Sequence, residues 1–177
     1  GQFKEWDFEN GLDWLLLEYE SHRMLQHFVR SLNHFYRQTP AFWEVDFTWE
    51  GFSWIAHDDK QQSVISFRRM DNHGGEIIAL CNFNPVKREH YRIGAPVYGT
   101  YAEVFSTDAA EFGGGGITNG TFDTDLVPMH GFEQSMELTI PPLSVLYFRL
   151  VKKKRRPSAA PKAPKKKTTA QQMPEDK

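Results

Sequence analysis

A succession of short segments with strand-like composition constrains the fold of this 177-residue chain more than any other feature. From Phe47 onward, apolar residues recur with a period close to two, which is typical of strands that have one face on a core. Turn residues, such as the Asp, Asn and Gly residues of 71–75, separate these segments. The predicted strands cover residues 52–55, 63–68, 76–83, 98–105, 136–140 and 144–150. Such a succession, mostly hairpin-like, predicts an antiparallel β-sandwich of roughly 100 residues.

The residues before the strands follow a helical period instead. Apolar side chains recur at spacings of one, three and four from Met24 to Tyr36, which predicts an amphipathic helix over residues 21–38. Ser21 is the predicted N-cap, and Pro40 ends the helix because proline disfavours helical geometry in the residue before it. No second helix is predicted for it to pack on, and this favours a helix that belongs to a larger domain.

The opening segment concentrates aromatic and acidic residues. Glu5, Trp6, Asp7, Asp13 and Trp14 stand within its fourteen positions. Aromatic faces stack on pyranose rings, and carboxylates accept hydrogen bonds from hydroxyl groups, so this is the composition of a sugar subsite. It is also, and more commonly, the composition of a loop that caps a core and keeps its acids in water. The residue types alone leave both interpretations open.

Short blocks in a fixed order carry a family resemblance through roughly residues 1–150. They are GQFKEW at 1–6, LDWLL at 12–16, HR at 22–23, VRSLN at 29–33, EVDF at 44–47, GFSWI at 51–55, DD at 58–59, SV at 63–64, CNFNPV at 81–86 and IPPL at 140–143. In these blocks the chain resembles the C-terminal portion of bacterial 1,4-α-glucan (glycogen) branching enzymes, members of the α-amylase superfamily. Many short blocks in one order are far more specific than any single block.

The resemblance implies a domain plan and a reaction. Residues 1–46 would be the last loop and helix of a catalytic (β/α)8 barrel, residues 47–151 a complete C-terminal β-sandwich, and residues 152–177 a tail outside the resemblance. The family cleaves α-1,4-glucan, forms a covalent glucosyl-enzyme and transfers the chain to a 6-hydroxyl, which creates an α-1,6 branch. That chemistry requires no metal or organic cofactor.

The resemblance also limits which residues of this chain can act on a glucan. The family's reacting carboxylates belong to motifs upstream of Gly1, so we expect no catalytic residue and no branching activity in this chain by itself. The opening segment matches the loop after the eighth barrel strand, on the face where barrel active sites are built. The residues expected to border the glucan path, with the barrel as the partner domain, are Gln2, Glu5, Trp6, Asp13 and Trp14.

Three further indoles, Trp43, Trp49 and Trp54, define a second candidate site. A surface glucan site needs exposed rings that lie in one plane, whereas a strand tryptophan commonly packs into a core. Exposed rings would agree with a stand-alone, non-catalytic glucan-binding module, which is the main alternative to a part of an enzyme.

Charge divides the chain at its C-terminal end. Residues 1–151 hold 11 Lys and Arg against 21 Asp and Glu, a net charge of −10, whereas residues 152–177 hold 10 against 2, a net charge of +8. The tail is rich in Lys, Pro and Ala and has no apolar periodicity, so we expect it to be disordered. It is either a solubilising extension or an arm for nucleic acid or another polyanion.

The remaining motifs indicate a cytoplasmic protein without a metal site. Cys81 is the single cysteine and lies in an apolar run, which is typical of a small buried side chain in a reducing compartment. His27 and His34 are seven residues apart, too far for the adjacent-turn pair of a zinc helix. No stretch reaches 18 uncharged apolar residues, so no membrane segment is predicted.

Overall fold

The computed structural model describes residue 2 and residues 4–157. Within these residues, one α-helix, α1 (Glu20–Arg37), precedes eight strands. The strands are β1 (Phe52–Asp59), β2 (Val64–Met70), β3 (Glu76–Asn82), β4 (Arg88–Gly94), β5 (Gly99–Ser106), β6 (Thr121–Asp123), β7 (Ser135–Ile140) and β8 (Ser144–Lys153). Short 3-10 turns flank α1, at Trp14–Glu18 and Pro40–Phe42, and another, Trp49–Gly51, leads into β1.

The strands form two antiparallel sheets that enclose one core. The larger sheet has the order β1-β2-β3-β8-β5-β6, and the smaller sheet pairs β4 with β7. Ile78, Leu80 and Phe148 from the large sheet meet Ile93 and Met136 from the small sheet, and all are fully buried. The predicted antiparallel β-sandwich preceded by a helix is therefore confirmed.

Two strands escaped prediction because few of their side chains face the core. Strand β4 reads REHYRIG, and only its last two residues, Ile93 and Gly94, are buried. A register shift between Arg88 and Tyr91 interrupts the alternation of this strand further. Strand β6 has three residues, too few to show a period. Both are held by backbone pairing with neighbours, which leaves almost no trace in the sequence pattern.

Strand β3 is buried on both faces. Ile78 and Leu80 point into the sandwich, and the alternate residues Ile77, Ala79 and Cys81 are buried on the outer face of the large sheet. Burial raises the pKa of the Cys81 thiol to about 11, so this side chain behaves as the small apolar group expected from the sequence. A strand with both faces covered implies that other elements pack on the outside of the sheet.

Helix α1 supplies part of that cover through a cluster of aromatic rings. Phe35 stacks on Phe105 of β5, with ring centroids 5.0 Å apart and an interplanar angle of 8°, and meets Tyr147 of β8 edge-on at 5.3 Å. Phe28, two turns earlier, contacts the ring of Phe112 at 5.4 Å. The expectation that the helix lacks a packing partner in this chain is wrong, because a sheet face replaces the missing helix.

The helix begins one residue earlier than predicted. Glu20 is its first residue, Tyr19 occupies the N-cap position, and Ser21 lies inside the first turn. The predicted serine cap is therefore wrong. The carboxylate of Glu20 in the first turn instead complements the partial positive charge of the helix N-terminus.

The large sheet extends into the predicted tail. Lys152 and Lys153 belong to β8, where they pair with Thr100 and Gly99 of β5, so the prediction of disorder from residue 152 is wrong at these two positions. Backbone hydrogen bonding does not require apolar side chains, and composition therefore places the boundary too early. Residues 158–177 of the predicted tail lie outside the described residues. No helix among residues 2 and 4–157 is long and apolar enough to cross a membrane.

Candidate functional site

An open groove lies between the opening segment, the Trp14–Glu18 turn and α1. Its volume is about 510 Å³. The lining residues are Gln2, Lys4, Trp6, Leu12, Asp13, Trp14, Leu16, Leu17, His22, Leu25, Gln26 and Val29. Four of the five predicted glucan-path residues, Gln2, Trp6, Asp13 and Trp14, are thus brought together on one concave surface, whereas the exposed Glu5 does not line it.

Local hydrogen bonds shape the segment that forms this groove. The side-chain oxygen of Gln2 accepts a hydrogen bond from the backbone N–H of Asp13 at 3.3 Å, which joins the two ends of the segment. The Asp7 carboxylate accepts one from the backbone N–H of Glu9 at 2.9 Å and another from the Asn10 side chain. These hydrogen bonds, that of Glu9 first, hold the pKa of Asp7 below its usual value. Asp7 therefore acts as a turn former.

The groove presents aromatic faces beside one carboxylate. Trp6 is 74% exposed and Trp14 64% exposed, so both indoles are available to a ligand. The apolar floor comes from Leu25 and Val29 of α1, both partly exposed, which sequence reasoning assigned only to the helix stripe. Asp13 is the single acidic residue of the lining. The groove can stack and orient a sugar, but it does not hold the pair of carboxyl groups that retaining glycosyl transfer needs.

The second set of tryptophans lies along the outer face of the large sheet. Strand register places Trp54, Phe67, Ala79, Tyr147 and Phe105 in one row that crosses β1, β2, β3, β8 and β5. Helix α1 and the Pro40–Phe42 turn contact the row at Phe105 and Tyr147. The β1 end of the row is more open, and Trp54 is 47% exposed there.

Neighbouring rings fix the orientation of Trp54. Its indole meets Phe52 edge-on at 5.0 Å with an interplanar angle of 88°, and Phe67 at 6.0 Å with an angle of 84°. Phe52 was detectable in the sequence because it lies two residues before Trp54 in the same strand. Phe67 depends on the register between β1 and β2, which sequence reasoning did not provide.

Trp43 and Trp49 lie in the segment between α1 and β1. Arg69 of β2 ties this segment to the sheet by donating to the carbonyl of Phe42 at 3.2 Å and to the Asp46 carboxylate at 2.6 Å. Trp49 is 90% exposed. Within residues 4–157, the ring contacts that surround Trp54 include neither Trp43 nor Trp49, so the structure does not join the three predicted indoles into one cluster.

No three His, Cys, Asp or Glu side chains converge as a metal-ligand set in the described part of the chain.

Comparison with known proteins finds similarity over most of the chain. A family model described as "Alpha amylase, C-terminal all-beta domain" matches residues 54–151. The chain is 51% identical over 151 residues to the 1,4-alpha-glucan branching enzyme GlgB of Aquifex aeolicus, an alignment that covers 84% of this chain and 24% of that protein. Identity to the enzyme of the same name from Halothermothrix orenii is 46% over 151 residues, with the same coverage. The enzyme of the same name from Prochlorococcus marinus (strain NATL1A) is 46% identical over 156 residues, an alignment that covers 87% of this chain and 21% of that protein. The chain thus spans less than a quarter of the length of each of these curated relatives.

Proposed function

The chain belongs to the family of alpha amylase C-terminal all-beta domains, and on that premise we propose that it forms the C-terminal part of a 1,4-α-glucan branching enzyme. The observation that carries the proposal is the extent of the identity. It covers 151 residues, well beyond the 54–151 domain match, and so takes in residues of the opening segment or α1 as well as the sandwich.

The proposed reaction of the whole protein is a two-step transfer on glucan. An α-1,4 bond is cleaved, the chain is held as a covalent glucosyl-enzyme, and it is passed to a 6-hydroxyl to create an α-1,6 branch in glycogen. The reacting carboxyl pair is supplied by the catalytic barrel, because the groove of this chain contributes only Asp13. We therefore propose that the isolated chain has no branching activity.

The proposed partner inside the same protein is that barrel. Large apolar side chains of the Trp14–Glu18 turn and α1 are at least 46% exposed, among them Leu15, Leu25, Val29 and Tyr36. An apolar surface of this kind is commonly covered by another domain. Covered from that side, the groove would border the path of an α-glucan, and Gln2, Trp6, Asp13 and Trp14 would contact sugar rings and hydroxyl groups. Glu5 retains a proposed place at the rim of the same path.

The test of the groove uses the branching enzyme that contains this chain. Trp6→Ala and Trp14→Ala are each expected to raise the KM for amylose at least fivefold, since stacking on one ring contributes roughly 1 kcal/mol or more. Phe83→Ala is the matched control because Phe83 is also an exposed ring but lies after β3, outside the groove. Unchanged KM values in both tryptophan variants would remove these residues from the glucan path.

An activity assay on amylose also tests the proposed inactivity of the isolated chain. Loss of amylose–iodine colour on addition of the pure 177-residue chain, abolished by boiling, would overturn it.

The proposed compartment is the cytoplasm, where a buried, unpaired Cys81 stays reduced.

A second candidate function, glucan binding by the sandwich surface, rests on the fixed and half-exposed ring of Trp54. Two phenylalanines hold this indole edge-on, so it loses little freedom when a sugar stacks on it. Titration of the chain with maltoheptaose should show saturable binding that Trp54→Ala weakens, with smaller effects of Trp43→Ala and Trp49→Ala. Phe83→Ala again serves as control, and a flat titration contradicts the proposal.

A further inference from the structure

A run of five cations, residues 152–156, lies where the large sheet ends. Lys153 is the last residue of β8 and pairs with Gly99. The backbone N–H of Lys154 continues the pairing by donating to the carbonyl of Tyr98 at 3.0 Å. Residues 152–154 are therefore held in an extended form beside the loop that precedes β5.

Alternate members of the run are neutralised by the acidic body. The Lys154 ammonium contacts the carboxylate of Asp123, and the Arg156 guanidinium contacts Glu133 and the side-chain oxygen of Gln134. Lys154 first, then Thr100 and the charge of Lys152, hold the pKa of the Asp123 carboxylate below its usual value. In these contacts the carboxylates of Asp123 and Glu133 are paired with Lys154 and Arg156.

Lys153 and Arg155 differ from Lys154 and Arg156 in their ion pairing. Neither has an acidic partner within the part of the chain that the structure describes. Side chains two apart in an extended segment lie on one side, about 7 Å from each other at their origins. Both residues line an open cavity of about 430 Å³. Its other lining residues are Lys154, Arg156, Gln134, Pro96, Val97 and Tyr98.

We propose that this cavity binds the phosphate group of a small phosphorylated molecule between Lys153 and Arg155. A guanidinium binds two phosphate oxygens in parallel, and an ammonium adds a compact charge. The volume falls within the roughly 300–1,000 Å³ of small-molecule sites, and Pro96 and Val97 offer apolar surface to the organic part of the ligand. Tyr98 also lines this cavity, and a tyrosine hydroxyl can donate a third hydrogen bond to a phosphate oxygen.

The test titrates the complete 177-residue chain by calorimetry at constant ionic strength, with inorganic phosphate in one arm and glucose 6-phosphate in the other. Lys153→Ala combined with Arg155→Ala should weaken the binding of each bound ligand at least tenfold. Charge-assisted hydrogen bonds exceed the energy that corresponds to a factor of ten. Lys60→Ala combined with Lys87→Ala is the matched control, because it removes the same charge from exposed sites away from the cavity, and should change affinity less than twofold.

Each outcome decides the proposal. A tenfold loss of ligand affinity in the Lys153 and Arg155 variant, without such a loss in the control variant, supports the proposal. If glucose 6-phosphate then binds more tightly than inorganic phosphate, its organic part contacts the apolar wall. If the two ligands bind equally, the cavity is a site for free phosphate. Equal losses in the two double variants, or absence of binding by the unaltered chain, overturn it. Melting curves establish that the variants are folded. If the alanine variant is not, Lys153→Gln with Arg155→Gln replaces it, and full phosphate binding by that folded variant also overturns the proposal.

Discussion

Replacement of Phe35 by alanine should detach α1 from the sandwich without unfolding the sandwich itself. The Phe35 ring stacks on Phe105 and meets Tyr147 and Phe42 edge-on, at 5.0, 5.3 and 5.3 Å between centroids. Aromatic pairs contribute about 0.5–1.5 kcal/mol each beyond the area they bury. A fully buried Phe→Ala change costs about 3–5 kcal/mol. Phe35 is only partly buried, so we expect a loss of about 2–3 kcal/mol.

The assay is guanidinium unfolding of the chain, followed by far-ultraviolet circular dichroism, together with amide hydrogen exchange. Phe35→Ala should lower the midpoint and reduce amide protection in α1 first, whereas β3 keeps its protection because it is buried on both faces. Leu25→Ala is the matched control on the groove-facing side of the same helix, where the side chain is half exposed. It should cost less than about 1 kcal/mol. Equal losses in the two variants, or a loss below about 1 kcal/mol for Phe35→Ala, would refute the aromatic docking.

Three further perturbations have expected outcomes. Asn82→Ala should cost about 2–4 kcal/mol in chemical unfolding, because the buried amide donates to the carbonyls of Pro141 and Val86 and accepts from Asn84, at 2.8, 3.0 and 3.0 Å. Burial lowers the pKa of His130, whose Nδ1 accepts a hydrogen bond from the N–H of Gly94 at 3.2 Å. As the pH decreases, the imidazole is therefore protonated in the unfolded chain at a higher pH than in the folded chain. The free energy of unfolding should fall as the pH decreases from about 6.5 through the lowered pKa, and His130→Asn should remove this loss. Asp108→Ala should cost about 1–2 kcal/mol, since its carboxylate accepts from the N–H groups of Gly115 and Ile117 at 2.9 and 3.0 Å.

Each of the three has its own contrary result. Asn72→Ala, an exposed amide in a turn, is the control for Asn82, and equal costs for the two contradict the buried network. For His130, a pH–stability profile that Asn does not flatten assigns the acid sensitivity elsewhere. For Asp108, unchanged amide exchange in residues 113–117 means that the glycine loop does not depend on the carboxylate.

The elements that sequence could predict are those whose own residues carry the pattern. Strand β3 was found because six of its seven residues are buried, so the segment is apolar throughout. Strand β4 was missed because its residues make polar contacts instead. Arg92 forms an ion pair with Asp125 at 2.8 Å, and His90 forms a hydrogen bond with Glu137 at 2.7 Å. Charged residues of this kind are as common in loops as in edge-like strands, and only tertiary pairing distinguishes them.

The candidate sites divide in the same way. Gln2, Trp6, Asp13 and Trp14 lie within thirteen residues of one another, so local sequence was enough to group them. The groove also needs Leu25 and Val29. Their role follows from the direction in which α1 docks, which the neighbouring residues Phe28 and Phe35 determine. The pairing of Trp54 with Phe67 depends on strand register, and the two residues are separated by a turn whose length does not fix that register.

The strand order has a consequence for synthesis of the chain. Among the strands that the structure describes, β8 is synthesised last, yet it lies between β3 and β5 in the middle of the large sheet. Until residues 144–153 are available, the hairpins on either side have no common partner, and β3 and β5 each present an open edge of unpaired N–H and C=O groups. The large sheet therefore cannot be completed before β8 is synthesised. A chain truncated before residue 144 would keep two unpaired strand edges and should aggregate readily.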